Sequence, residues 1–207
     1  MLYNNVRSER TYGMLKKLIG SKQFYRRVLA VSLPIMVQNF ITNFVSLLDN
    51  IMVGRVGTTA MTGVAISNQL IFVFNLCIFG CVSASGIFTA QFFGRGDQRG
   101  VADTMRFKLY SGLLLCAAGI GIFALFGESL VSLYLQGEGA LEDAQASLAA
   151  GVEYLRIMLL GLVPFVLVQC YASTLRETGQ TFIPMLAGIV AVLVNLVFNY
   201  ILIFGKF

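Results

Sequence analysis

The sequence predicts an all-α polytopic membrane protein with about five transmembrane helices. Of its 207 residues, 57% are hydrophobic and only 12% are charged, whereas an ordinary soluble domain carries about 25% charged residues. A soluble fold of this composition would expose extensive apolar surface to water. Five nearly uncharged stretches are each long enough to cross the ~30 Å hydrocarbon core of a bilayer. The predicted spans are residues 28–53, 60–93, 107–126, 154–175 and 182–204.

The segment before the first span, residues 1–27, is predicted to be a basic cytoplasmic or interfacial segment. It carries seven Lys or Arg residues against one Glu. Apolar residues fall among these bases, which favours a short helix lying on anionic lipid. The apolar stretch 28–53 is 26 residues long. Because the core of a signal peptide is about 7–15 residues, this stretch is predicted to be span one.

Span two, residues 60–93, contains 34 residues and no charge. At about 1.5 Å per residue this is roughly 51 Å, which is too long for one straight crossing. Small residues within it predict a bend or an exit from the bilayer. They are Gly80, Ser83, Ser85 and Gly86. A polar turn at residues 94–99 then leads toward span three.

Spans three and four are separated by an acidic, alanine-rich connection. Its acids are Glu128, Glu138, Glu142 and Asp143. Pro164 predicts a kink in span four, because proline removes a helical hydrogen bond. After a turn at 176–180, Pro184 lies in the first turn of span five, where proline is tolerated.

The distribution of basic residues predicts the orientation. With the N-terminus inside, the tail, the 94–108 loop (which includes Lys108) and the 176–180 turn hold twelve Lys or Arg residues on that side, against three outside. Cytoplasmic loops of membrane proteins carry such an excess. We therefore expect a multi-pass protein of the cell (inner) membrane with a cytoplasmic N-terminus. The positive charge is explained by topology and does not indicate nucleic-acid binding.

One acidic residue, Asp49, lies inside an apolar span. An aspartate deep in a bilayer costs about 2.5–3.5 kcal/mol on insertion scales, so its presence indicates a role. Polar residues at three- and four-residue spacing give span one a stripe that lipid cannot satisfy. The stripe consists of Asn39, Thr42, Asn43, Ser46, Asp49 and Asn50. Burial and the negative end of the helix dipole both favour the protonated carboxyl, so proton uptake and release near neutral pH are feasible.

A structural interpretation of Asp49 stays open beside the functional one. The residue lies about one turn from Val53. Its carboxylate can therefore snorkel to the interface or pair with Arg55. The polar stripe favours the functional interpretation.

Other spans also carry polar residues at membrane depth. Asn195 and Asn199 are four residues apart and share one helix face, where two amides can coordinate a cation or hydrogen-bond a protonated carboxyl. Thr42, Ser46, Asn68 and Gln169 are candidates for the lining of a solvated cavity. Each of these side chains can alternatively join helices through hydrogen bonds within the membrane.

The sequence lacks the residue sets of several enzyme classes. It has no His, and its four Cys residues are scattered in apolar stretches, which excludes a His/Cys zinc site. It has no Ser/His/Asp set, no paired carboxylates and no phosphate-binding loop, because the Gly94-Arg95-Gly96 segment lacks the Lys-Ser/Thr that such a loop requires. We therefore predict that the protein is not an enzyme and has no cofactor.

Four segments occur in a characteristic order along the chain. They are LLDNIMVGRVG at 47–57, AQFFGRGD at 90–97, LRETGQT at 175–181 and VNLVFNY at 194–200. In this order and spacing they resemble the multidrug and toxic compound extrusion (MATE) family of secondary transporters. The resemblance covers residues 30–205.

The resemblance implies twelve helices in two six-helix lobes, with substrate export by alternating access driven by inward H⁺ or Na⁺ flow. Residues 28–207 then form most of one lobe of a MATE-like transporter. Asp49 matches the family's first-helix acid, which is proposed to change protonation or to take a cation such as Na⁺. Asn195 and Asn199 match the two polar positions that face it.

The chain also departs from the family pattern. Some members have an aspartate where this chain has Asn199, so Asp49 is left as the only acid in the cavity. The chain ends just after span five, so we expect the C-terminal lobe to be absent from it. The expected partners are small, cationic organic substrates, membrane lipids and the missing lobe.

The sequence therefore predicts an incomplete N-terminal lobe of a secondary active multidrug exporter. Two alternatives stay open. One is a flippase for lipid-linked oligosaccharides from the same superfamily, although such proteins usually need a strongly cationic cavity and no Lys or Arg lies mid-span here. The other is a truncated membrane fragment that only binds other helices.

Overall fold

A computed structural model describes residues 20–54, 57–135 and 141–204. Nearly all of these residues lie in five α-helices, and the described ranges contain no strand, which confirms the predicted all-α fold. The helices, α1 to α5 in chain order, are Lys22–Gly54, Thr58–Gly94, Gln98–Leu135, Leu141–Glu177 and Phe182–Phe204. Each contains a stretch long and apolar enough to cross a membrane, as expected of a multi-pass membrane protein.

The three middle helices are longer than the predicted spans. They contain 37, 38 and 37 residues, so at about 1.5 Å per residue each exceeds the hydrocarbon core by more than 20 Å. The expected acidic connection is therefore largely helical. Glu128 lies in α3. Glu142 and Asp143 lie in the first turn of α4, where the helix dipole stabilises negatively charged side chains. Glu138 lies outside the described residues.

Helix α2 is continuous through the small residues that predicted a bend or an exit from the bilayer. The hydroxyl of Ser85 donates to the carbonyl of Cys81 at 2.9 Å, so it is satisfied within the helix. Gly86 is buried where a Cβ atom would overlap the Glu177 carboxylate of α4. Close packing between helices is therefore the local reason for a small residue at Gly86.

The turn between α2 and α3 explains the residues of the 90–97 segment. Gly96 has a φ of 74°, a left-handed conformation that favours glycine. The Asp97 carboxylate accepts a hydrogen bond from the Gly100 amide at 3.0 Å and so caps the start of α3. The corresponding turn after α4 contains Gly179, with a φ of 82°.

Helices α2, α3 and α4 form the packed centre of the molecule. One buried cluster joins Ile78 of α2, Cys116 of α3 and both Val166 and Cys170 of α4. A second cluster, nearer the other end of the bundle, includes Val131 and Leu155. These three helices therefore act as one packed unit.

Small residues allow the closest approach, which is between α2 and α4. The Ser67 hydroxyl donates to the Gly151 carbonyl at 2.8 Å. A Cβ atom on Gly63 would lie 2.7 Å from the Gly151 amide nitrogen and still closer to the Ser147 carbonyl. Such contacts let two backbones meet in a membrane, where packing rather than the hydrophobic effect drives association.

We expect the Gly63→Ala variant to destabilise the α2–α4 contact by about 1–3 kcal/mol, because rigid backbone would have to shift. Gly80→Ala is the matched control, since Gly80 lies in the same helix and a Cβ atom added there would meet no other helix of the described residues within 4 Å. Thermal denaturation of the purified protein should show a lower Tm for Gly63→Ala alone. Equal Tm values for the two variants would contradict the assigned contact.

Helices α1 and α5 pack against each other and pack less extensively against the unit formed by α2, α3 and α4. The Gln38 side chain of α1 covers Gly188 of α5, where its Nε2 atom would lie 2.9 Å from a Cβ atom. Most other side chains of the two helices are exposed, including the described polar residues of the α1 stripe. The α1–α5 pair is therefore the less buried part of the fold.

Candidate functional site

Asp49 lies in the last two turns of α1, five residues before Gly54. Its side chain falls outside the described part of the structure. Arg55, the alternative ion-pair partner expected for it, also lies outside the described residues. The position of Asp49 is therefore given by its place along the helix.

The register of α1 against α5 puts Asp49 level with Asn199. Consecutive spans alternate in direction, so α1 and α5 run the same way. Asp49 is eleven residues past Gln38, and Asn199 is eleven residues past Gly188. Because Gln38 covers Gly188, an equal rise of about 16 Å along both helices brings these two positions to the same depth.

The two asparagines of α5 form a hydrogen-bonded pair. The Asn199 amide donates from Nδ2 to the Asn195 Oδ1 atom at 3.2 Å. Asn195 is exposed and Asn199 is half-buried. This bond orients the two amides along one helix face. Amide oxygens can coordinate a cation, and amide N–H groups can donate to a carboxylate.

The hydroxyl groups of Thr42 and Ser46 donate hydrogen bonds to backbone carbonyls within α1. Thr42 donates to the Gln38 carbonyl at 3.0 Å, and Ser46 donates to the Thr42 carbonyl at 3.1 Å. Both side chains are exposed, so the described helices do not enclose them. Each hydroxyl oxygen keeps its capacity to accept a further hydrogen bond.

Asn68 is positioned by a residue that the sequence analysis did not select. The Tyr154 hydroxyl of α4 donates to the Asn68 Oδ1 atom of α2 at 3.1 Å. Both residues are half-buried. Tyr154 is the first residue of predicted span four. Its phenol group is the only sequence feature that could have identified it.

Gln169 lies in a different place, beside a cavity of about 150 Å³ between α2 and α4. It is eight residues before the end of α4, whereas Asn68 is ten residues after the start of α2. The structure therefore places the predicted cavity and coupling residues in separate parts of the helix bundle. Asp49, Asn195 and Asn199 belong to the α1–α5 pair with Thr42 and Ser46, and Asn68 and Gln169 lie at separate heights of the α2–α4 interface.

A buried ion pair was missed by the sequence analysis. Lys108 was counted among the loop charges, but its side chain is 0% exposed. Its ammonium group bonds the Glu177 carboxylate and lies 3.4 Å from the Ser173 hydroxyl and 3.3 Å from the Thr174 hydroxyl. Ser173 also donates to Glu177. This cluster joins the first part of α3 to the end of α4, and Gly86 of α2 packs against it.

Comparison with known proteins identifies relatives of the chain. A family model described as MatE matches residues 34–201. "Probable multidrug resistance protein NorM" of Thermotoga maritima is 24% identical over 203 residues, which cover 95% of this chain and 41% of that protein. A protein of the same name from Streptococcus pneumoniae serotype 4 is 30% identical over 179 residues, covering 86% of this chain and 38% of that protein.

"Multidrug resistance protein PmpM" of Pseudomonas aeruginosa is 26% identical over 185 residues, which cover 88% of this chain and 37% of that protein. This chain therefore spans about two fifths of the length of the curated relatives it matches. No solved structure gives a significant match.

Proposed function

Since this chain belongs to the MatE family, we propose that it forms the N-terminal lobe of a secondary active exporter of multiple drugs. Members of the family are transporters and not enzymes. Curated relatives carry the name multidrug resistance protein, which supports export of small molecules. We further propose that the substrates are organic cations.

The observation that carries this proposal is the shared depth of Asp49 and Asn199 on two helices that pack together. We infer that the Asp49 carboxylate and this pair of amides together bind a proton or Na⁺. With a proton bound, the neutral carboxyl donates to an amide oxygen. With Na⁺ bound, carboxylate and amide oxygens supply the hard ligands that this ion takes.

Coupling follows from the charge of Asp49 in this proposal. The ionised carboxylate attracts an organic cation, whereas the protonated or Na⁺-bound form does not. Entry of the coupling ion from outside therefore releases the drug, and loss of the ion to the cytoplasm restores the drug site. The ion gradient supplies the free energy, so no ATP site is needed.

The exposed polar stripe of α1 supports a solvated cavity beside this site. Asn39, Asn43 and Asn50 are exposed along the predicted span of α1, in which most residues are apolar. Lipid cannot satisfy these amides. We propose that they face water and the second lobe of the complete transporter, which completes the drug cavity.

The charged residues that the structure describes do not favour the flippase alternative. A pyrophosphate-binding cavity needs several free cations. Lys108, the fully buried base of the described residues, is neutralised by Glu177 and does not present its ammonium group to a cavity.

Reconstituted transport tests the proposal directly. The complete protein in proteoliposomes should move ethidium against an imposed inward gradient of H⁺ or of Na⁺, without ATP. Collapse of the effective gradient by an ionophore should stop this export of ethidium from the vesicles. Transport that needs ATP, or that ignores both ion gradients, would contradict an antiporter.

Asn199→Leu should lower antiport at least about tenfold, because removal of one charge-assisted hydrogen bond costs about 1.5–3 kcal/mol. Phe198→Leu is the matched control, since Phe198 is an exposed apolar residue of the same helix turn. Initial rates of ethidium transport, normalised to protein amount, should separate the two variants. If Asn199→Leu matches wild type, the amide pair has no part in coupling.

A further inference from the structure

The cavity between α2 and α4 carries a feature that the transport proposal does not use. It is lined by polar groups from both helices. They are Ser83 of α2 and Gln169, Ser173, Arg176 and Glu177 of α4. The cavity volume is about 150 Å³. This space is large enough for a tetrahedral anion the size of a phosphate group, next to the Ser83 hydroxyl, the Gln169 amide and Arg176.

Arg176 lines this cavity, and one N–H group of its guanidinium lacks a hydrogen-bond partner among the described residues. Its Nε atom is buried and has no hydrogen-bond partner among the described residues. A buried donor without a partner is costly, and a guanidinium group has a fork of N–H groups that matches the oxygens of a phosphate. The guanidinium group can therefore bind an acceptor that lies outside the described residues.

The charge balance around the cavity favours an anion. Glu177 is only 16% exposed and is held by Lys108 and Ser173, so its charge is offset within the cluster. Arg176 then leaves one positive charge in excess. A free phosphate or the phosphate of a lipid would both satisfy it.

The position of the cavity favours a lipid. Arg176 follows directly after the predicted end of span four at residue 175, which is the depth of lipid headgroups. Phe79, another lining residue, is 65% exposed, and Val168 on α4 is also exposed. An acyl chain can pack on these apolar side chains while its phosphate reaches Arg176. By the distribution of basic residues this end is cytoplasmic, and the cytoplasmic leaflet is rich in anionic lipids.

We propose that this cavity binds the phosphate of an anionic phospholipid of the cytoplasmic leaflet, with Arg176 as the main ligand. Ser83 and Gln169 donate hydrogen bonds to the remaining phosphate oxygens. The site links α2 and α4 at the same end as the Lys108–Glu177 pair. It goes beyond the proposed transport function and does not depend on it.

Native mass spectrometry of the complete protein with added phosphatidylglycerol tests the site. We expect the wild type to retain phosphatidylglycerol, and Arg176→Gln to lose about tenfold in apparent affinity, as expected for the loss of a charge-assisted contact. Arg95→Gln is the matched control, because Arg95 lies at the same end of the bundle, is exposed and rests over the Phe92 ring. It should bind the lipid as wild type does.

A second variant and a competition experiment complete the test. Arg176→Lys keeps the charge but not the fork of N–H groups, so it should recover part of the affinity and show that the loss in Arg176→Gln is not misfolding. Inorganic phosphate at millimolar concentration should not displace the lipid. Displacement by free phosphate would overturn the lipid assignment, and equal lipid binding by wild type and Arg176→Gln would overturn the site. Both readouts are independent of ethidium transport.

Discussion

The Asp49→Asn variant of the complete protein is expected to reach the membrane in normal amounts and to lose efflux of ethidium. Asparagine has nearly the same size as aspartate, so packing of α1 is preserved. It cannot bind a proton and carries no charge to attract a cationic drug or Na⁺. In the proposed cycle no other group of the α1–α5 pair replaces this charge, so the loss should be nearly complete.

Cellular efflux measured at matched expression checks this prediction. Leu47→Ala is a suitable control, because Leu47 is an exposed apolar residue of the same helix, two positions away. It should pump at the wild-type rate. If Asp49→Asn also pumps normally, then Asp49 is a snorkelling or ion-paired structural acid, and the coupling mechanism proposed for this lobe is wrong although its family membership stands.

The largest expected effect on stability comes from the Lys108–Glu177 pair. Lys108→Met removes the cation that bonds Glu177 and leaves its largely buried carboxylate with the Ser173 hydroxyl as its remaining described hydrogen-bond partner. Breaking one partner of a buried ion pair destabilises proteins by about 3–5 kcal/mol. We therefore expect a marked drop in Tm and in the yield of monodisperse protein.

A double variant separates the cost of an orphaned charge from the value of the pair. Lys108→Met combined with Glu177→Gln neutralises both members of the pair, so its Tm should lie much closer to that of the wild type than to that of Lys108→Met. Thermal unfolding of the purified variants measures all three. A double variant that is as unstable as the single one would show that the charges themselves are not what stabilises this junction.

Part of the candidate site was accessible to sequence reasoning. A charged residue in an apolar stretch is conspicuous, and the three- and four-residue spacing of its polar neighbours fixes a helix face. Asp49, Asn195 and Asn199 were found in this way together with their family segments. Their predicted roles in coupling stay predictions, because the side chain of Asp49 lies outside the described residues.

The cavity-lining predictions show where such reasoning stops. Polarity selected Thr42, Ser46, Asn68 and Gln169 as one group. The structure gives two of them hydrogen bonds within α1, gives Asn68 a tyrosine partner and places Gln169 beside the Arg176 cavity. Polarity at membrane depth identifies a side chain that needs a partner, but it does not identify the partner.

The amino-acid sequence by itself determined the membrane class, the five helices and the family, because these depend on local properties. Hydropathy over about 20 residues defines a span, and residue identities at fixed spacing define the family segments. Only the tertiary structure decided that Lys108 is buried against Glu177, 69 residues away, and that Asn68 meets Tyr154, 86 residues away. The physical reason is that such contacts depend on which helix faces meet, and several arrangements of five apolar helices satisfy the same hydropathy pattern.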